Sequence, residues 1–236
     1  MKRIAFFWVA DDAAIPTCLV QSIRATNADQ VEVVQLTDHR TPPVEGVDVV
    51  SRHDLPPDIM LARLQAYRAL EPHPEFTFYC DADSLFLNPL RVEAPEHILL
   101  TPRLQDFPIN PHFPEHYPEF EGKMISEVMP FLFGALAVRG DNPLFEQLQA
   151  RCQALPARFH RWYGDQFALA LAARAKAFDY GLLDPRVHLH VTKTALTIDE
   201  LRSLRAQGTQ MITFKGPDSG KSTNIPLTLS RLLSLL

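Results

Sequence analysis

The chain has 236 residues, 46% of them apolar and 9% aromatic, with a formal net charge of −5. That length and composition suit a sizeable globular core and exclude a disordered chain, and the negative charge argues against nonspecific binding to nucleic acid while leaving room for a local basic pocket. No apolar run is long enough to span a bilayer, and residues 4–10 are short and end in Asp11-Asp12, so neither a membrane segment nor a signal peptide is expected.

Residues 2–10 form a continuous apolar run with branched and aromatic members, which predicts a buried first strand. Asp11 and Asp12 follow at its exit. Ile15, Leu19, Val20 and Ile23 make a helical stripe over 15–25, and 31–36 reads as the next strand. A strand–helix–strand opening favours a parallel sheet with helices on its faces. A Pro-rich connection leads to a short edge strand at 47–50. Ile59, Leu61, Leu64, Tyr67 and Leu70 give an apolar helix face over 58–70, with Asp54 and Asp58 as candidate caps and Arg63 and Arg68 off that face.

Phe76 to Cys80 is a short aromatic run, read as a buried strand, and it delivers Asp81-Ala82-Asp83 before a turn at Asn88-Pro89. Extended geometry through Ala82 sets Asp81 and Asp83 on one side of the chain. Acids at the carboxyl end of such a strand lie where open α/β sheets bind ligands. A cation such as Mg²⁺ or Mn²⁺ could there be shared between the carboxylates and a substrate's phosphates. The plain alternative is a solvated loop, since Asp-x-Asp alone is a weak signal.

Residues 98–100 predict another strand. The stretch 103–126 has no sustained period and carries Pro108, Pro111, Pro114 and Pro118, the pattern of a lid or binding loop. Of its Phe107, His112, Phe113, His116, Tyr117 and Phe120, some must pack on the body and some could also line a ligand site. A strand at 129–138 contains Gly134, Pro143 starts a helix over 143–153, and Asp165 stands at the N-cap of a helix over 166–176. Strands are expected at 177–183, 187–191 and 211–214, and a capping box at Thr197 and Glu200 opens a helix that Gly208 ends. Lys215 to Lys221 is a Gly-rich basic loop. The Leu-rich helix over 226–236 could dock on the body, pair two chains or touch a membrane. Without repeats or linkers the chain reads as one domain, 1–236. Cys18, Cys80 and Cys152 read as reduced core thiols in the cytoplasm, with no zinc spacing.

Taken together the pieces resemble a GT-A glycosyltransferase, of the nucleotide-diphospho-sugar transferase superfamily, and are similar to its retaining glycosyltransferase family 8 branch. Three motifs carry the resemblance: Tyr79 to Phe86 around the Asp-x-Asp, Gly164-Asp165-Gln166, and Ile212 to Gly216 with Lys221. It implies an α/β, GT-A-like fold with a mostly parallel central sheet and a Rossmann-like N-terminal half. It implies transfer of a hexose-type sugar from a nucleoside-diphosphate sugar, UDP-linked, to a glycan, lipid-linked or protein acceptor, with retention. Asp81 and Asp83 would hold Mn²⁺ or Mg²⁺. Asp165 and Gln166 would lie beside the sugar and Lys221 on the diphosphate, as the catalytic set. Trp8, Asp11, Asp12, Arg63, Gly216, Gly220 and Lys221 would surround the donor. The plainer readings are a helix cap for Asp11, Asp12 and Asp165, core packing for Trp8, and solvated surface for Arg63 and Lys221.

Two positions depart from the family. Thr213 stands where a metal-binding His is expected, so either the two carboxylates, phosphates and water hold the cation, or His188 or His190 contributes from another strand, or metal dependence is weak; Leu132-Phe133-Gly134 replaces an Asn-x-Gly segment. Breaking a glycosyl–phosphate bond develops negative charge on the diphosphate, which a cation at Asp81 and Asp83 and the Lys221 ammonium would stabilise. Three rival readings are kept. A haloacid-dehalogenase-like phosphatase would place its acid pair on the first strand. A sugar-phosphate nucleotidyltransferase would want a Gly-rich basic loop at 10–17, where two acids stand. A degenerate member would bind a nucleotide sugar, or a protein through 103–126. The expected location is cytoplasmic, with the inner face of a membrane kept as an option.

Overall fold

The computed structural model describes residues 1–109, 117–188, 190–215 and 220–236. The first strand, β1 (Lys2–Phe7), leads through helix α1 (Ala14–Asn27) to β2 (Val31–Thr37) and edge strand β3 (Val49–Arg52). Helix α2 (Ile59–Ala69) then returns the chain to β4 (Phe76–Cys80). All four strands run parallel, so the opening is the strand–helix–strand unit expected from the apolar runs. Short β5 (Ser84–Phe86) follows the acids, and β6 (Ile98–Pro102) and the longer β7 (Phe131–Arg139) extend the sheet beyond β4. With β8 (Gly181–Leu182) the order is β3-β2-β1-β4-β7-β6-β8, and only β7 runs against the others. The fold is therefore the mixed α/β arrangement with a mostly parallel sheet that the pattern implied.

Both faces of the sheet are covered, which explains why β1 and β4 read as unbroken apolar runs instead of alternating ones. Ile4, Phe6, Phe78 and Cys80 turn to the face packed by Leu19, Val20 and Ile23 of α1. Ala5 and Tyr79 turn to the other face, against Leu64 and Tyr67 of α2 and the helices α4 (Leu144–Gln153) and α6 (Gly164–Arg174). A fully buried side chain of this size contributes about 1.5–3 kcal/mol, so a polar substitution at Phe78 or Leu64 removes a large share of the net stability.

A second, three-stranded sheet, β5-β10-β9, is formed with β9 (His190–Thr192) and β10 (Met211–Phe214). Its core joins Leu85, Ile212 and Phe214 to Ile225, Leu229 and Leu232 of the last helix, α9 (Lys221–Leu233). The Leu-rich tail thus docks on the body through Leu229 and Leu232, while Leu227, Leu233 and Leu236 remain exposed. Helix α8 (Ile198–Ala206) opens with the predicted capping box: the Thr197 hydroxyl accepts from the Glu200 amide and the Glu200 carboxylate accepts from the Thr197 amide. Gly208 follows its end in the left-handed region, φ +81°.

Several boundaries move for local reasons. The strand expected at 187–191 is divided by a helical turn, α7 (Pro185–His188), because Pro185 takes a first helical position and the Asp184 carboxylate accepts from the Arg186 amide. Lys221 belongs to the first turn of α9, five residues earlier than the helix was expected to begin. Within 103–126, an isolated bridge pairs Pro108 with Met124, a 3-10 turn spans Pro118–Phe120, and α3 (Ile125–Val128) closes the segment. Tyr117 and Phe120 are fully buried and pack against Phe159 of α5 (Ala157–Arg161), Tyr163 and Phe167. Packing alone and packing together with recognition were both open for the aromatics of this segment, and these two pack. Phe107 is exposed. His112, Phe113 and His116 lie outside the described residues.

Candidate active site

Parallel pairing sets Phe6 of β1 opposite Cys80 of β4, so Trp8 and Asp81 leave the sheet at the same edge. The next strand, β5, pairs antiparallel with β10 and places Thr213 opposite Ser84. This register carries Thr213 to the acids: its hydroxyl donates to Asp83 Oδ1 at 3.2 Å, and the Phe214 amide donates to the Asp83 carbonyl at 3.1 Å. The residue after β10 is Lys215, whose amide is tied to Thr192 O at 3.1 Å. Its ammonium contacts Asp81 Oδ2 and lies 3.8 Å from Asp83 Oδ1. One ammonium reaching both carboxylates shows that Asp81 and Asp83 face a common point.

Lys221 Nζ is 2.5 Å from Asp83 Oδ2, and Arg63 of α2 donates to Asp81 Oδ1 at 3.0 Å. The same guanidinium pairs with Asp165 Oδ2 and stacks over the Phe133 ring at 4.7 Å. Burial by itself would raise the Asp81 carboxyl, but the Lys215 ammonium and the Arg63 guanidinium outweigh it and hold the pKa down at about 2. Burial works against the Lys215 charge, and Asp81 and Asp83 reverse that and leave the ammonium more basic than usual.

Asp165 departs from expectation. The cap position of α6 belongs to Tyr163, in the left-handed region at φ +63°, and Asp165 sits inside the first turn with no exposed surface. Tyr163 is held there by the aromatic cluster of Tyr117 and Phe120, so segment 117–120 fixes the angle at which α6 enters the site. Gly164 permits it: a Cβ there would strike the Phe159 carbonyl and approach Cys152 Sγ to 2.8 Å. Gln166 lies beside Asp165 and accepts from Arg103 at 2.7 Å; Arg103 also donates to Met129 O at 2.9 Å, and burial lowers its pKa to about 10.

The remaining donor-side residues are less engaged. Trp8 Nε1 donates to the Asp12 carbonyl at 3.0 Å, and the Asp12 carboxylate accepts from the Ala14 amide at 2.8 Å, at the start of α1, although the cap position expected for it falls to Ala13. Asp11 is exposed. Gly220 has φ +50° and precedes α9, and Gly216 lies outside the described residues. His188 has both ring nitrogens 3.0 Å from backbone carbonyls, of Asp184 and Arg91, which removes it as a substitute metal ligand; the His190 side chain lies outside the described residues. A cavity of 190 Å³, lined by Arg68, His73, Thr77, Asn142 and Glu146 among others, lies at the opposite end of β4 and is separate from this cluster.

Over 99% of this chain and 96% of the other, the structure matches the galactosyltransferase LgtC, solved in complex with donor and acceptor sugar analogs, with a TM-score of 0.59 at 15% sequence identity. It also matches the glycosyltransferase GlyE of Streptococcus pneumoniae TIGR4 over 100% of this chain and 63% of that one, with a TM-score of 0.62 at 11% identity. The fold is GT-A-like, a Rossmann-type α/β arrangement. No family model and no curated protein matches the sequence. No helix among the described residues is long and apolar enough to cross a membrane.

The donor set of this GT-A-like fold does not fit the divalent cation that the resemblance implies. Asp81 offers Oδ1 to Arg63 and Oδ2 to Lys215; Asp83 offers Oδ1 to Thr213 and Oδ2 to Lys221. Every carboxylate oxygen already has a cationic or hydroxyl donor, and among the described residues no three His, Cys, Asp or Glu side chains converge on one point. Two participants escaped selection from the sequence. Lys215 stood in plain view in the basic loop, but only the β5–β10 register directs it at the acids. Arg103 carried no local signal.

Proposed function

We propose that the chain is a glycosyltransferase acting on a nucleoside-diphosphate sugar, UDP-linked and hexose-type, whose diphosphate lies over the Lys215 and Lys221 ammonium groups. The observation that carries this reading is the convergence of Asp81, Asp83, Lys215 and Lys221 at the carboxyl end of β4, in a GT-A-like sheet.

As the bond between the anomeric carbon and the diphosphate breaks, negative charge grows on the leaving oxygen. In this reading Lys221 and Lys215 stabilise it and stand at the acids before the reaction begins, so the site needs little reorganisation during the step. The carboxylates orient the two ammonium groups. Arg63 and Asp165 fix the position of Asp81 from behind. Gln166, held by Arg103, is the polar side chain of α6 with partial exposure, and it is assigned to the sugar hydroxyls. Trp8 and the Asp11-Asp12 turn flank the nucleoside. The acceptor is a hydroxyl of a glycan, lipid-linked sugar or protein, and the product keeps the donor's anomeric configuration.

The test is a screen of nucleotide sugars read by thermal shift and by release of nucleoside diphosphate, with the product anomer assigned directly. A UDP-sugar should raise the melting temperature and be turned over slowly even against water. A second reading, a nucleotide-sugar-binding protein without transfer, is favoured by one observation: Asp165 has no exposed surface and is paired with Arg63. Binding without donor cleavage would select it. No shift with any nucleotide sugar would end both.

A further inference from the structure

We propose that Lys215 takes the place of a divalent cation, so that this chain binds the diphosphate of its donor without metal; the inference rests on the donor class proposed above.

The first support is position. A cation shared by Asp81 and Asp83 would have to stand where both carboxylates point, and the Lys215 ammonium is there, against Asp81 Oδ2 and 3.8 Å from Asp83 Oδ1. The position is set by the backbone, since β10 pairs with both β5 and β9 and the Lys215 amide is bonded to Thr192 O. The side chain therefore starts from a fixed point beside the acids.

The second support is the ligand inventory. A hard dication of this kind takes about six oxygen ligands, or keeps waters in their place. Here all four carboxylate oxygens already accept from Arg63, Lys215, Thr213 and Lys221. Thr213 brings a neutral hydroxyl directed at Asp83 where an imidazole would have offered a lone pair. Seating a cation would mean expelling an ammonium from a carboxylate and leaving it beside a dication.

The third support is exposure. The side chains of Asp81 and Asp83 are 16% and 15% exposed, whereas those of Lys215 and Lys221 are 37% and 35% exposed. An incoming diphosphate meets the two ammonium groups and not the acids beneath them. Two single positive charges supply what one dication would supply, and each is a hydrogen-bond donor to phosphate oxygens.

Calorimetric titration of UDP into the full chain, once with EDTA and once with millimolar Mn²⁺, tests this without any variant. The wild-type dissociation constants should agree within about threefold. Lys215→Met should weaken UDP binding by about tenfold or more in EDTA, and Mn²⁺ should restore part of the loss by entering the vacated position. Lys215→Arg should keep cation-independent binding. Wild-type binding that falls about tenfold or more on chelation would overturn the inference while leaving the donor class standing. Unchanged affinity of a folded Lys215→Met in EDTA would also overturn it. Absence of UDP binding in both buffers would instead remove the donor class, and the inference with it.

Discussion

Gly134 and Asp81 compete for the same space. A Cβ built on Gly134 would overlap Asp81 Oδ2 and lie 3.0 Å from Oδ1, so the carboxylate rests against a bare Cα on the neighbouring strand. The antiparallel register of β4 with β7, Cys80 opposite Ala135, brings the two together, and the Asp81 amide donates to the Gly134 carbonyl at 3.3 Å. The glycine inside this strand thus has a steric reason.

Gly134→Ala should push Asp81 off Arg63 and Lys215 and destabilise the fold by about 1–3 kcal/mol, the usual range for overpacking. Urea denaturation measures it. Combining it with Asp81→Ala should remove most of the penalty, giving a coupling of about 0.5–3 kcal/mol. Additive effects of the two substitutions would show that the close approach carries no energy.

Arg63 is the sole cation paired with Asp165 among the described residues, and Asp165 is fully buried. Arg63→Met should therefore destabilise by about 3–5 kcal/mol, because it leaves an uncompensated buried charge. Asp165→Asn is more instructive. A helix cap tolerates Asn about as well as Asp, but a partner of a buried guanidinium does not, so the melting temperature should fall. An unchanged melting temperature would return Asp165 to a capping role.

Lys221 is assigned to charge that grows during the reaction. Lys221→Ala should lower single-turnover donor cleavage more than it weakens ground-state binding. Losses at comparable oxyanion sites are about 2.7–4 kcal/mol, and Lys215 should soften the effect here. An equal change in binding and turnover would make Lys221 a binding group only.

The three cysteines are free and buried, and burial raises all three thiols, Cys152 to about 12. Since only the thiolate reacts, native protein at pH 8 should resist iodoacetamide at all three positions and become fully modified on unfolding. For Cys152 the folded pKa lies above the unfolded one. Its contribution to stability is fully present below about pH 8.5 and is lost as pH rises toward 12. A falling urea midpoint across that alkaline window, reduced in Cys152→Ala, checks the sign; rapid native-state alkylation would contradict the burial.

The continuous apolar runs at β1 and β4, the helical stripe of α1, the capping box of α8 and the limits of β10 were legible in the chain because each depends on neighbours a few residues apart. Periodicity and local hydrogen bonding encode such features directly. The Asp-x-Asp at the end of β4 was legible for the same reason: a strand's end and two acids are adjacent in sequence. Which partners those acids have was not. Lys215 and Arg63 approach Asp81 across |i−j| separations of 134 and 18 residues, through strand register in one case and helix packing in the other. The buried state of Asp165 also came from afar, since Tyr117 and Phe120 set the entry of α6 and Arg63 arrives from α2. Local pattern determined the elements and the acids; long-range packing decided that ammonium and guanidinium groups occupy every carboxylate oxygen between them, with one threonine hydroxyl. Side-chain chemistry is written residue by residue, but electrostatic pairing depends on distances that only the folded sheet sets.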